Sequence, residues 1–230
     1  MCSRGFMNPQ RARQPELLDL GAYASLDVLR GNLHDMTRYA RWLGIPRLVL
    51  AQLPTTLRSV LDIGCGLGDL LVHSARHPSN TGTLAVGLDR NADVLRLACH
   101  ATKQPIHWLQ ADALRLPFAE GAFDAALCVH VLHHFDPPNA ARVLAECARV
   151  ARQRCVVVDL QRSAFGVLGA WLLTRITSRN PLTRIDGVRS ARNAYTAFEA
   201  HALARAAGWS HFSLRATPVL WVLVHVRSGT

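Results

Sequence analysis

From residue 59 onward, short apolar runs alternate with segments whose apolar residues recur every three or four positions, and only short stretches separate the two. That alternation predicts strands and helices taking turns, the pattern of a parallel sheet covered on both faces. The predicted strands are Ser59–Ile63, Thr83–Asp89, Ile106–Gln110, Ala125–Val131 and Cys155–Leu160, and the predicted helices between them are Asp69–Arg76, Ala92–Ala101 and Ala140–Arg149. The unbroken CVVVDL run is the kind a strand carries when both its faces are buried. Two short helical stretches, around Tyr23–Leu29 and Met36–Leu43, precede the sheet, with Asp35 placed to cap the second. Beyond Leu160 the alternation stops. The segment AFGVLGAWLLTRI reads as a helix apolar on nearly every side, followed by a basic, turn-rich loop through Pro181 and Gly187. A helix over Ala197–Ala207 ends at Gly208, and two strand-like runs, Ser210–Ala216 and Val219–Val226, suit an antiparallel pair at one edge. The expected fold is therefore α/β: a doubly wound, mostly parallel seven-stranded sheet with an antiparallel C-terminal strand and N-terminal helices.

The densest chemical signal is VLDIGCGLGDL at residues 60–70, an apolar strand that passes Asp62 into Gly64, Gly66 and Gly68 before a helix begins. Glycines there let backbone N–H groups approach a ligand, and the helix start adds a positive dipole end, so a nucleoside-like cofactor is expected. The spacing is G-x-G-x-G, whereas the dinucleotide fingerprint is G-x-G-x-x-G. A carboxylate at Asp62 would repel a pyrophosphate and suits a cationic amino-acid moiety. Asp89, closing the second strand, can accept both hydroxyls of a ribose. Asp112, after the third strand, can meet the exocyclic amine of an adenine, or it can simply hold an Asx turn.

Composition narrows the field. At 230 residues and 50% hydrophobic, the chain suits one buried core. No apolar stretch reaches the ~18 residues of a membrane span, and residues 1–15 lack the apolar core of a secretory signal and read as a flexible leader, so a cytoplasmic protein is expected. The six cysteines form no C-x-x-C pair, which argues against a disulfide framework and a zinc site. The net charge of +10 is almost entirely arginine, and eight arginines lie between Arg152 and Arg192 against Asp159 and Asp186. A local basic patch follows. No appended RNA-binding module or amine-methylating N/D-P-P-(Y/F) motif supports a nucleic-acid partner.

Taken together, LDIGCGLG at 61–68, GLD at 87–89 and ADALRLPFAEGAFD at 111–124 resemble class I S-adenosylmethionine-dependent methyltransferases, over roughly residues 59 to 160. The resemblance implies S-adenosylmethionine as cofactor, with Asp62, Gly64, Cys65 and Gly66 beside its methionine part, Asp89 and Arg90 beside the ribose, and Asp112 and Ala113 beside the adenine. It puts His130 where the loop after strand four meets the cofactor. The segment CVHVLHHFD also offers His133, first, and His134, second, as a base for a hydroxyl acceptor, because an imidazole near the ligand-binding edge can take a phenolic proton. A metal site from His130 and His133 lacks a third ligand nearby, so no metal is expected.

The C-terminal run, with DLQRS, LLTR, SR, DG and SARNAYT, and the N-terminal ELLD and RYARWLG are similar to a bacterial branch of that superfamily often encoded beside type III polyketide synthases. That likeness implies methylation, in secondary metabolism, of a hydrophobic phenolic or quinol-like small molecule, most simply at oxygen. Carbon methylation of a quinone-type ring is the alternative. Residues 16–230 would form one domain whose helical region at about 162–195 covers the substrate, and the apolar helix with its flanking arginines suits an acyl-chain pocket, contact with an anionic membrane surface, or plain burial. Where this branch usually has R-H-D-G, the chain has Arg184-Ile185-Asp186-Gly187.

Overall fold

The computed structural model describes residues 10–75 and 82–227. Seven strands, β1 (Ser59–Ile63), β2 (Leu84–Asp89), β3 (Ile106–Gln110), β4 (Phe123–Val129), β5 (Ala151–Leu160), β6 (Phe212–Ala216) and β7 (Leu220–Val226), form one sheet in the order β3-β2-β1-β4-β5-β7-β6. Strands β1 to β5 pair in parallel, while β7 runs antiparallel to both β5 and β6. The expected sheet is thus observed, with the last strand inserted between β5 and β6.

Successive strand residues feed opposite layers, as the two-residue pleat requires. Val60, Ala85, Ala125 and Val156 pack with helix α2 (Ile45–Leu50) and with Leu71 of α3 (Asp69–Ala75). Leu61, Val86, Ala126 and Val157 pack instead on α5 (Pro137–Val150) and α8 (Ala197–Ala206). Helix α4 (Ala92–Ala101) joins α1 (Leu26–Trp42) in a third apolar cluster through Val94 and Leu97.

Three expectations change. The two N-terminal helical stretches are one helix, α1, capped by Ser25, and Asp35 lies buried in its middle. Its carboxylate accepts from Ser178 and Thr183, so it ties α1 to the C-terminal half and caps nothing. The expected turn-rich loop is helix α7 (Pro181–Asn193). Asn180 caps it, Pro181 occupies a first-turn position where its missing N–H costs little, and Gly187 lets α6 (Ala164–Thr177) approach, since a Cβ there would stand 2.8 Å from Thr174 Cγ2. The expected leader divides: residues 1–9 lie outside the described ones, while Arg11 donates to the carbonyls of Asn193, His133 and Phe135 and Ala12 N–H to that of Arg192.

Candidate active site

The glycine turn lies at the carboxyl ends of β1 and β2, where parallel sheets of this kind bind ligands. Gly64, Gly66 and Gly68 all have positive φ, at 71°, 52° and 73°. Their reasons differ. A Cβ on Gly64 would strike Val131 at 2.4 Å and one on Gly68 would strike Trp108 at 2.4 Å, whereas one on Gly66 would project into open space. Gly66 is thus the point where the backbone faces the cavity. The N–H groups of Gly64 and Cys65 both donate to the Leu88 carbonyl, and that of Gly68 to Cys65. Those three amides pin the turn to β2 and to itself and are not available to a ligand.

Asp62 is 2% exposed and lines the cavity, with no side-chain hydrogen bond or ion pair among the described residues. Burial, then the charges of Asp89 and Asp69, push its carboxyl up to about 8. Asp89, whose Oδ1 accepts from Asn91 N–H at 2.9 Å, is also raised, chiefly by burial. The donor set is therefore acidic and short of a cation. An ammonium at Asp62 and paired hydroxyls at Asp89 would meet it, which is the polarity of S-adenosylmethionine. Asp112 spends one oxygen on an Asx turn to Leu114 N–H at 2.9 Å, and it lines the cavity beside Ala113. Arg90 also borders the cavity, yet its guanidinium turns to Asp19 at 3.2 Å.

At the end of β4, His130 takes φ 57°, alone among the described non-glycine residues in that strained region, and its buried Nδ1 has no hydrogen bond. Backbone strain of this kind is typical of functional sites. The two following histidines sit in a short 3₁₀ turn, Leu132–His134. His133 is buried between carboxylates, with Nδ1 2.6 Å from Asp159 and Nε2 3.3 Å from Glu16. Burial alone would lower its imidazole, but Asp159 and Glu16 outweigh that and push it up to about 10. Asp159 and Glu16 are correspondingly held below the usual carboxylate range. At neutral pH His133 is thus an imidazolium with both nitrogens engaged, an arrangement that leaves no lone pair for a substrate proton. His134 differs: Nδ1 bonds Asp19 at 2.7 Å, and the side chain is 19% exposed at the cavity wall. With Nδ1 as donor, its Nε2 is an acceptor.

Glu16 and Asp19 belong to a strap that crosses the mouth of the site. Leu17 and Leu18 N–H bond the Asp186 carboxylate, Ser190 donates to Glu16, and Tyr23 donates to Asp93. Glu16, His133 and His134 bring ligand atoms within 4.8 Å of one another, a possible geometry for a metal ion among the described residues. Each already has a protein partner. The cavity itself, about 1050 Å³, extends from the glycine turn past the strap to α1, α6 and α7. That is at or above the upper end of ligand pockets, roughly 300–1,000 Å³, leaving room beside a cofactor for a second molecule. Tyr39, Leu43, Gly166, Ala170 and Leu173 line the cavity at α1 and α6.

Glu16, Asp19 and Asp159 were not among the sequence candidates. Asp159 carries the same signal as Asp62 and Asp89, an acid at the carboxyl end of a buried parallel strand. Glu16 and Asp19 carry only the ELLD likeness, since nothing in their spacing points across to a histidine turn more than a hundred residues away.

A methyltransferase-domain family model matches residues 60–154. Among curated proteins, the chain is 38% identical over 110 residues to a 2-phytyl-1,4-naphtoquinone methyltransferase of Synechocystis sp., a match covering 45% of either chain. It is 32% identical over 174 residues to a demethylmenaquinone methyltransferase of Roseiflexus sp., covering 70% of this chain and 72% of that one. Among solved structures, the magnesium protoporphyrin IX methyltransferase of Synechocystis with bound SAH aligns with a TM-score of 0.53 at 20% identity, over 85% of this chain and 84% of that one. At that identity the likeness speaks to the fold alone.

Proposed function

The chain belongs to the class I S-adenosylmethionine-dependent methyltransferases, and from that premise we propose that it methylates a hydroxyl oxygen of a hydrophobic phenolic or quinol-like small molecule. Bound cofactor supplies an electrophilic methyl on a sulfonium. The residues of this chain have three tasks: to hold the cofactor, to align an acceptor for in-line attack, and to keep water out. Asp62 pairs with the ammonium, Asp89 takes the ribose hydroxyls and Asp112 meets the adenine, with Gly64, Cys65, Gly66, Ala113 and His130 shaping the walls. His134, oriented by Asp19, accepts the acceptor's proton, and the protonated His133 fastens the strap that closes the site. The helical region at 162–195 covers the acceptor, within one domain from residue 16.

The observation that carries this reading is the single cavity that joins the acidic cradle to an apolar chamber through His134. The likeness to the branch found beside type III polyketide synthases favours a polyketide-type aromatic acceptor, met in the cytoplasm. A second reading, methylation of a ring carbon of a quinone-type acceptor, is supported by the naphthoquinone and menaquinone methyltransferases among the Synechocystis and Roseiflexus relatives. Incubation with 13C-methyl-labelled cofactor and a panel of alkylresorcinols, quinols and tRNA tests both. Label in an aryl methyl ether is expected. Label on a ring carbon would replace oxygen by carbon as the acceptor, and label in tRNA alone would overturn the small-molecule reading.

A further inference from the structure

Helix α6 inverts the arrangement of an ordinary surface helix. Gly166, Gly169, Ala170, Leu173 and Thr174 face the cavity, while Phe165, Leu168, Trp171, Leu172 and Ile176 are 70%, 54%, 45%, 43% and 79% exposed. Residues 165, 168, 172 and 176 follow one another at helical spacing and form a single outward stripe. A helix of a globular protein buries its large apolar residues. Here the small face is the one that packs, because Gly187 of α7 closes on Thr174 and Tyr39 of α1 meets Thr177 at 2.8 Å. A contiguous apolar surface of this kind marks an interaction site.

Its charge says what kind. No acidic residue occurs from Gln161 to Ile185, whereas Arg175 and Arg179 are exposed and enter no ion pair among the described residues. We propose that this stripe docks the protein on an anionic lipid bilayer, with the apolar side chains at the acyl boundary, Trp171 at the headgroup level and the two arginines among the phosphates. A second copy of the chain fits less well, because a two-fold pairing of this face would bring the like-charged arginines together. Helix α6 has 14 residues, and no described helix is long and apolar enough to cross a membrane. Docking therefore lays α6 in the interface plane. The same helix walls the cavity, so the acceptor chamber comes to rest beside the bilayer, whichever atom of the acceptor is methylated.

Flotation of the full chain with phosphatidylcholine vesicles, with and without roughly one-third phosphatidylglycerol, tests this directly. Binding to the anionic vesicles is expected, weakening as salt is added. The triple change Leu168→Ser, Leu172→Ser, Ile176→Ser touches no cavity-lining residue, and it should lower the partition coefficient by about a hundredfold while leaving cofactor affinity and circular dichroism unchanged. Arg175→Glu with Arg179→Glu, at exposed positions that keep the helix intact, should remove the preference for anionic lipid even if the triple variant misfolds. The proposal fails if the unaltered protein stays unbound, if both variants float as it does, or if it is a dimer that the serine changes render monomeric.

Discussion

At the level of single residues, Asp62 carries the most stored cost. A carboxyl raised to about 8 in the folded chain and ordinary in the unfolded one makes the folded state bind the extra proton, so stability falls as pH rises from about 4 to 8. Asp62→Asn is therefore expected to raise the melting temperature of the cofactor-free protein at pH 7 by about 2–4 °C. The same change should weaken S-adenosylmethionine binding at least about tenfold, and differential scanning fluorimetry with and without cofactor reads both effects. The two adjacent histidines separate in the same way. His134→Ala should lower kcat by about 10²–10⁴ with little loss of stability, whereas His133→Ala should act mainly through stability. The sequence places both histidines at the site and puts His133 first; the partners that favour His134 instead, Asp159, Glu16 and Asp19, come from other parts of the chain.

Among elements, the strap around Glu16–Tyr23 is held by charge and hydrogen bonds as well as by Leu17, Leu18 and Tyr23 packing on the cluster of α1 and α4. Its bond to the histidine turn depends on a proton. His133, raised to about 10, contributes stability that is complete below its unfolded value near 6.5 and lost as pH rises through 10. Glu16 and Asp19, both lowered, contribute stability present above about pH 4 and lost in acid. Between about pH 9 and 10 the fall in melting temperature combines His133 with the Cys65 and Cys155 thiols and the Tyr195 hydroxyl, which burial holds above their ordinary values, so the His133 share is the part that Glu16→Gln removes. Glu16→Gln should flatten that slope in a pH series of thermal melts; an unchanged slope would mean the strap is not held by this pair. Element boundaries were legible wherever the period was clean, as in β1, β2, β3 and α4. They were not legible in α7, where Pro181 and Gly187 look like loop punctuation but serve as a first-turn residue and a helix contact. The joining of α1 across Asp35 was equally hidden, because a buried acid inside a helix and a capping acid read alike until Ser178 and Thr183 are seen to meet it.

On the scale of the whole molecule, the parallel sheet and its glycine turn could be read from strand spacing and from acids at strand ends. The position of β7 between β5 and β6 could not, because two adjacent antiparallel runs give no sign of which lies nearer the sheet. The outward apolar stripe of α6 was also undecided in the sequence. All-round apolarity fits burial and exposure equally, and only the packing of α1 and α7 against its small face chooses between them. What unites these parts is a cofactor cradle whose buried carboxylate waits for a cation. Isothermal titration of S-adenosylmethionine near pH 7, run in two buffers of different ionisation enthalpy, counts the protons exchanged on binding. Release of close to one proton is expected, lost in Asp62→Asn, as the ammonium replaces the proton on that carboxyl. Binding with no proton release, or release that persists in Asp62→Asn, would contradict it.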